Sequence, residues 1–308
     1  MPCAGVHLHL AGVALKHWIH HPQAAPLDPH SPLEVAAFLH GAMGPDVSFT
    51  TGKERLISEL SHYVRTADLA RELLRRTISP EERAFAWGWV THVEGDVALH
   101  PLVGHAVGEW IHGDRTLRMN AAEDEVRHVG MEVGLDLEVF RRWWVPEAPH
   151  VTPFASRVAN LLAESLSEVH GASWPSQQLG SLQLVSAWRI RNWPRALALL
   201  ARGWGMGVRR SLPLGFVVNA VPRMPGVPFA VEGFFRPLSP PEWLLGEVES
   251  FAASFPGLMD RLTDSQAQGM SNRHMETGLP ELESMDHPGT RSALRGLASL
   301  NGLVPSPG

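Results

Sequence analysis

The sequence predicts an all-α protein, a multi-helical bundle, on three observations. Long segments such as 3–20 and 54–76 have the apolar faces or the leucine-, glutamate- and arginine-rich composition typical of helices. Two helix starts are marked by Ser31-Pro32 and Ser79-Pro80, where serine is expected to cap the helix and proline to occupy its first position. No stretch of useful length in the N-terminal half alternates apolar and polar residues as a half-buried strand does.

The predicted helices cover most of the first 150 residues. Proline-rich residues 22–32 make a loop after the first helix, and Gly-Pro-Asp at 44–46 makes a turn after the second. Pro101 is expected to end a helix, because proline removes a backbone hydrogen bond and its ring clashes with the preceding turn. The expected helices are 3–20, 32–41, 54–76, 81–100, 102–112 and 122–144.

The rest of the chain divides into two further regions. Helices are expected at 153–170 and 181–206, followed by a segment dense in proline and glycine. The polar, proline-punctuated tail 264–308 is expected to be poorly ordered. We therefore predict a main domain at 1–150, accessory helices packed on it at 151–210, and a loop-rich C-terminal region at 211–308.

Composition excludes several classes of protein. The chain has 308 residues and a formal net charge of −6, so no overall positive field attracts nucleic acid or anionic lipid. Its single cysteine, Cys3, excludes a disulfide framework and a cysteine-rich zinc finger. The first residues lack the clean apolar run of a secretion signal, and no apolar span is long enough to cross a membrane. We therefore expect a cytoplasmic protein.

Histidine is unevenly distributed along the chain. Of the 17 histidines, 14 lie in residues 1–150, where an even spread would place about half. Histidine is the commonest metal ligand and a frequent acid–base residue. The distribution therefore indicates that the chemistry belongs to the N-terminal half.

The clearest constellation is a row of three polar residues on the helix that begins after Ser79. His92, Asp96 and His100 are four residues apart, so they project from one face. Their neighbours are largely apolar, and a buried carboxylate is costly unless it is paired or bound to a metal. The row alone fits a metal site and a hydrogen-bonded core pair about equally.

A second row lies on the helix at 122–144. His128 and Glu132 are also four residues apart, and Asp136 extends the row, although nearby charged residues also fit a solvated face. Together the two rows offer the imidazoles and carboxylates that suit zinc without thiolates. His62 is a further candidate. Of His7 and His9, only one is expected to reach a shared site, because a helix points them in different directions.

These residues, in this order, resemble the zinc-dependent phospholipase C family, whose all-helical fold is shared with P1-type nucleases. The likeness consists of an early histidine, Gly-Pro-Asp, an isolated histidine, the segment 84–101, and a His-x-x-x-Glu pair followed by aspartate. The most specific part is Gly-Trp-Val-Thr-His-Val-Glu-Gly-Asp with His-Pro four residues on. The likeness covers residues 4–140 and implies a helical bundle around a metal cluster.

The resemblance also implies the ligands of that cluster. The family holds three zinc ions, and secreted members complete the third with a free amino terminus, so we expect two or three ions here. Asp46 is implied as the general base as well as a ligand. The implied sets are Asp46, His62, His92 and Asp96 at the first ion, His100, His128 and Glu132 at the second, and Asp96 with His7 at the third.

The implied activity is hydrolysis of a phosphodiester by a metal-activated water. The implied substrate is a phosphoester, with a phospholipid at a membrane surface as one candidate, and no stable nucleic-acid complex is expected. Secreted members that cleave lecithin have aromatic residues at the positions of Val47 and Glu59. An aromatic cage for a choline cation is therefore not evident.

Three other interpretations fit part of the pattern. A P1-type nuclease would share the fold and the ligands, although the negative net charge disfavours long nucleic acids. A non-catalytic protein could hold zinc in a closed structural site. A di-iron protein would use Glu59-x-x-His62 and Glu125-x-x-His128, but would leave the row on the helix at 81–100 unexplained.

Overall fold

The computed structural model describes residues 4–49, 55–146, 155–176 and 236–302, together with residues 179 and 233. Within these residues the regular elements are helical and no β-strand occurs, which confirms the all-α prediction. Short 3-10 helices lie at Pro22–Ala24, Pro45–Ser48 and Glu281–Ser284. The α-helices are α1 (Ala4–His20), α2 (Pro32–Gly41), α3 (Arg55–Tyr63), α4 (Thr66–Arg76), α5 (Pro80–His112), α6 (Glu125–Arg142), α7 (Ala155–His170), α8 (Glu242–Asp264) and α9 (Pro288–Leu300).

Both predicted helix starts are confirmed. The Ser31 hydroxyl accepts a hydrogen bond from the backbone N–H of Glu34 at the start of α2. At the start of α5, the Ser79 hydroxyl accepts from the Glu82 N–H, and the Glu82 carboxylate accepts from the Ser79 N–H at 3.1 Å. These reciprocal bonds satisfy backbone donors that the first turn of a helix leaves without partners.

The predicted single helix at 54–76 is wrong, because Arg65 interrupts it. Arg65 has a φ of 52°, in the left-handed region, and separates α3 from α4. Residues of the distant C-terminal region stabilise the break. Asn272 accepts a hydrogen bond from the N–H of Ala67 at 2.9 Å, and Glu281 accepts from the N–H of Arg65 at 2.8 Å. The first turn of α4 is therefore capped by tertiary contacts rather than by a local residue.

The prediction that Pro101 ends a helix is also wrong, since α5 continues for 33 residues to His112. Pro101 cannot donate to the carbonyl of Val97, which costs about 3 kcal/mol in a helix interior. The backbone of Gly278, with a φ of 68°, packs directly on this carbonyl. A β-carbon at that glycine would lie 2.8 Å from the Val97 oxygen. Burial of the surrounding α5 residues offsets the lost hydrogen bond, and α5 becomes a long rigid support.

Helices α2 and α5 cross with their backbones in contact. A β-carbon on Gly88 would lie 2.0 Å from the carbonyl oxygen of Phe38, and one on Gly41 would lie 1.9 Å from that of Phe85. Only glycine permits this approach, because any β-carbon would overlap a backbone atom. The crossing fixes the chain just after α2 against the middle of α5.

The C-terminal region is more helical than predicted. Helix α8 packs on α1 and α5, with His17 2.8 Å from Asp260. Helix α9 packs on α3, and the tail predicted to be poorly ordered contains this helix and buried residues at 274–277. The expected helix at 181–206 lies outside the described residues, whereas those at 122–144 and 153–170 are confirmed. Among the described helices, none has the length and apolar composition needed to cross a bilayer.

Candidate metal centre

Five elements bring the eight predicted ligands together in the interior. Helix α1 contributes His7, the 3-10 helix at Pro45–Ser48 contributes Asp46, and α3 contributes His62. The rows on α5 and α6 supply the other members. All eight are buried, and their ligand atoms form three groups. The groups are Asp46, His62 and His92; His7, His92 and Asp96; and His100, His128 and Glu132.

Asp96 lies at the centre of the assembly. One carboxylate oxygen is 3.1 Å from Nε2 of His7, and the other is 3.4 Å from Nε2 of His62 and 3.3 Å from Nε2 of His92. The same oxygen is 3.9 Å from Nδ1 of His100. One carboxylate therefore lies beside histidines from three helices, as a bridging ligand would.

The first group combines a turn residue with two helices. Nε2 of His62 is 3.2 Å from a carboxylate oxygen of Asp46 and 3.4 Å from Nε2 of His92. Each imidazole is oriented through its other nitrogen, with Nδ1 of His62 2.7 Å from the carbonyl of Ser58 and Nδ1 of His92 2.9 Å from that of Ala42. These contacts make Nδ1 the protonated nitrogen and leave Nε2 of both rings as a ligand atom.

The group on α5 and α6 is equally tight. Nε2 of His100 lies 2.9 Å from Nε2 of His128 and 3.0 Å from a carboxylate oxygen of Glu132. Nδ1 of both histidines and the second oxygen of Glu132 are buried and have no hydrogen-bond partner among the described residues. The two Nε2 atoms and one carboxylate oxygen therefore lie together in the interior. The other nitrogen of each ring and the other carboxylate oxygen have no hydrogen-bond partner in the part of the chain that the structure describes.

His7 joins the centre, and His9 does not. The ring of His7 stacks on that of His92 with 3.8 Å between centroids. His9 instead faces the opposite side of α1, where Nδ1 is 3.0 Å from the carbonyl of Trp144. Asp136, the third member of the α6 row, caps α1 by accepting from the N–H of Gly5 at 2.8 Å. Its role in the structure is to fix the start of α1, two residues before His7.

The protonation of these groups reflects their proximity. Burial opposes ionisation of the Asp96 carboxyl, but the His92 and His7 imidazoles hold its pKa well below the usual range. Burial likewise opposes ionisation of Glu132, and its contacts with His100 and His128 lower its pKa in favour of the charged carboxylate. Burial disfavours protonated His62, yet hydrogen bonds to Asp46 and Asp96 raise its pKa to about 9. In the metal-free protein, a proton on His62 therefore lies between the carboxylates of Asp46 and Asp96.

The donor set and its spacing fit zinc. Two ligand atoms on one tetrahedral zinc, at Zn–N distances near 2.0–2.1 Å, lie about 3.3 Å apart. The distances of 2.9 Å between the His100 and His128 nitrogens and 3.5 Å between His128 and Glu132 lie on either side of that value. A cavity of about 10 Å³ opens between the groups and is lined by His7, Asp46, Asp96, His100 and Glu132 among others. Such a volume admits a species about the size of one water molecule.

The structure disfavours a di-iron arrangement. Glu59 is held by the Ser292 hydroxyl at 3.0 Å and by Arg55 at 3.5 Å, and Glu125 also faces Arg55. Neither glutamate belongs to the three ligand groups found in the described part of the chain.

Sequence reasoning missed a set of residues from the C-terminal region. The N–H of Met275 donates to the carbonyl of His62 at 2.9 Å, and Glu276, His274 and His287 are buried nearby. The ring of His274 stacks on that of Tyr63 with 4.6 Å between centroids. No motif marks these residues, and the histidines at 274 and 287 were the only signal in a tail otherwise interpreted as loop-rich.

Comparison with known proteins was consistent with the site. A sequence model of the family described as zinc dependent phospholipase C matches residues 6–172, just over half of the chain. The match includes all eight clustered residues. No curated protein and no solved structure matches the chain.

Proposed function

Because the chain belongs to the zinc-dependent phospholipase C family, we propose that it hydrolyses a phosphodiester, with a phospholipid as the first candidate substrate. The observation that supports this most strongly is the convergence of three groups of buried imidazoles and carboxylates from five separate elements. Burying so many ionisable groups is costly unless cations compensate them. The proposed ligands are the eight residues of the candidate metal centre.

The residues of the centre have distinct proposed roles. Zinc ions, when bound, supply Lewis-acid stabilisation of phosphate oxygens and lower the pKa of water toward about 7. Asp96 holds histidines of α1, α3 and α5 around one carboxylate and thereby sets the spacing of the groups. Asp46, at the end of a tight turn and against the cavity, is the proposed general base that accepts the proton of the attacking water.

The position of Asp46 follows from the fold. Trp89 and the carbonyl of Gly41 pack against Gly44, and a β-carbon there would lie 2.6 Å from the Trp89 ring. This contact fixes the turn against α5, two residues before the carboxylate. The Ala42 carbonyl, in the same turn, holds His92. The base and the ligand that it faces are therefore positioned by one short segment.

The proposal is tested with zinc-loaded full-length protein and a panel of substrates. A chromogenic phosphodiester, short-chain phospholipids with different headgroups, a phosphomonoester and short oligonucleotides are compared at equal concentration. We expect hydrolysis of the phosphodiester and of at least one phospholipid, loss of activity on chelation, and recovery with zinc. Asp46→Asn should lower turnover by at least about a hundredfold, as expected for removal of a general base.

Asp264→Asn is the matched control, because Asp264 is exposed at the end of α8, a helix that carries none of the eight proposed ligands. It should retain wild-type activity. Zinc-loaded wild-type protein that hydrolyses no phosphodiester would refute the proposed function. Activity confined to oligonucleotides would instead identify a P1-type nuclease on the same fold.

A further inference from the structure

Asp136 on α6 is a buried acid that belongs to none of the three ligand groups found in the residues that the structure describes. It lies four residues beyond Glu132, so the face of α6 that presents His128 and Glu132 to the centre presents Asp136 as well. One carboxyl oxygen of Asp136 accepts from the N–H of Gly5 at 2.8 Å and from that of Val6 at 3.3 Å. Asp136 therefore connects the ligand-bearing face of α6 to the start of α1.

The two N–H groups that Asp136 accepts from belong to the first turn of α1. Backbone donors in the first turn have no acceptor within their own helix, and Asp136 supplies one from 131 residues away along the chain. The contact is also close. A β-carbon on Gly5 would lie 3.0 Å from the same oxygen of Asp136 and 3.0 Å from the ring of Phe140. The start of α1 is therefore fixed against α6 by hydrogen bonds and by packing.

His7 is the ligand whose position depends most on α1. Nδ1 of His62 and Nδ1 of His92 lie 2.7 Å and 2.9 Å from backbone carbonyls, which orient both rings. Nδ1 of His7 is buried and has no hydrogen-bond partner in the described part of the chain. The His7 ring contacts the centre only through its stack on His92 and the 3.1 Å approach of Nε2 to Asp96. Because no carbonyl holds its second nitrogen, the place of this ring is set by where α1 begins.

Helix α5 leaves little space around His7 on the opposite side. A β-carbon on Gly95, the residue before Asp96, would lie 3.0 Å from the Leu10 side chain of α1 and 3.4 Å from Nδ1 of His7. Val6 and His7 also line the cavity between the ligand groups. A shift of the first turn of α1 would therefore change the distance from His7 to Asp96 and the shape of the cavity.

We propose that Asp136 is a positioning residue for the group formed by His7, His92 and Asp96, and that its acceptor oxygen places His7 for metal binding. Without this acceptor, zinc binding has to order the first turn of α1, so the affinity falls by at most the contribution of the cap. Helix caps contribute a factor of about 2 to 30 to an equilibrium constant, and typically about 5. The inference rests on the metal centre of the proposed function, but it does not depend on the identity of the substrate.

The test compares variants of the full-length protein by zinc competition with a chromophoric chelator. His7→Gln identifies the zinc that depends on His7. Asp136→Ala removes the acceptor, whereas Asp136→Asn keeps an acceptor oxygen. Ser31→Ala is the matched control, because it removes the cap of α2, a helix that carries none of the eight ligands. We expect Asp136→Ala to bind the His7-dependent zinc about fivefold more weakly than wild type. Asp136→Asn and Ser31→Ala should bind zinc as wild type does.

Gly5→Ala perturbs the same contact from the side of α1, because its β-carbon would crowd Asp136 and Phe140. It replaces Asp136→Ala in the test if that variant does not fold, with the same expected direction and the same refuting result. The inference is wrong if Asp136→Ala binds zinc as tightly as Ser31→Ala, which would indicate a role in stability alone. It is also wrong if Asp136→Asn binds no better than Asp136→Ala, or if His7→Gln binds zinc as wild type does. Wild-type protein that binds no zinc would refute the proposed metal centre itself, so the two failures are distinguishable.

Discussion

Zinc binding at neutral pH is predicted to displace a proton from His62. In the metal-free protein, burial opposes protonation of this ring, but its contacts with Asp46 at 3.2 Å and Asp96 at 3.4 Å raise its pKa from 6.5 to about 9. One pKa unit corresponds to about 1.4 kcal/mol, so the proton is held more tightly by about 3 kcal/mol than in the unfolded chain. Zinc requires the neutral imidazole and must compete with this proton.

The direction of the pH dependence follows from the raised pKa. The stabilisation of the metal-free fold by His62 is fully present below pH 6.5 and is lost as the pH rises through about 9. Zinc affinity should change in the opposite sense. At pH 7, two units below the pKa, competition from this proton lowers the apparent affinity by about a hundredfold relative to pH above 9.

The assay is calorimetric titration of metal-free protein with zinc at pH 7 in buffers of different ionisation enthalpy, which gives the number of protons released. We expect wild-type protein to release about one proton more than the variant His62→Gln, because that variant has no imidazole to deprotonate. Equal proton release by the two proteins would refute the reasoning, as would a zinc affinity that does not increase between pH 7 and pH 9.

Three substitutions test other parts of the account. Asp96→Asn should remove at least one bound zinc per chain, because this carboxylate contacts histidines of more than one group. Elemental analysis measures the loss, and an unchanged zinc content would contradict the bridging role of Asp96. Gly88→Ala should lower the free energy of unfolding by about 3 kcal/mol in denaturant, because its β-carbon would overlap the Phe38 carbonyl. A decrease of less than about 1 kcal/mol would contradict the close crossing of α2 and α5. Asn272→Ala should cost about 1 kcal/mol in the same assay by uncapping α4, and no loss would show that the cap is dispensable.

Local sequence rules predicted the parts of the site that are local. The rows His92–Asp96–His100 and His128–Glu132 follow from four-residue spacing on helices, which places side chains on one face whatever surrounds them. The serine caps of α2 and α5 are likewise decided within four residues. The convergence of the rows was inferred from the resemblance, because spacing within one helix contains no information about its neighbours.

The parts that were missed depend on distant partners. Arg65 breaks a helix because Asn272 and Glu281, more than 200 residues away, satisfy the backbone at the break. Pro101 is accommodated within α5 because burial of the surrounding α5 residues offsets the lost hydrogen bond, and the distant segment around Gly278 packs on the same turn. Propensity predicts a continuous helix in the first case and a helix end in the second, and tertiary contacts reverse both outcomes.

The sequence pattern did not predict the contribution of the C-terminal region to the site, for a related reason. Glu276 has no ligand-like partner at helical spacing, and the tail around it is polar and punctuated by proline. Its burial is visible only once α3 and the turn before α6 form its surroundings. A buried acid in a segment of polar composition leaves no periodic signal in the sequence.

The central claim is that the buried imidazoles and carboxylates form a zinc centre, and elemental analysis of the purified full-length protein tests it most directly. The account predicts at least two zinc ions per chain after dialysis, since the structure offers three groups of ligands, two of which share His92. Loss of these ions on chelation should lower thermal stability. Folded wild-type protein that retains less than one zinc per chain when zinc is supplied in excess would contradict the account.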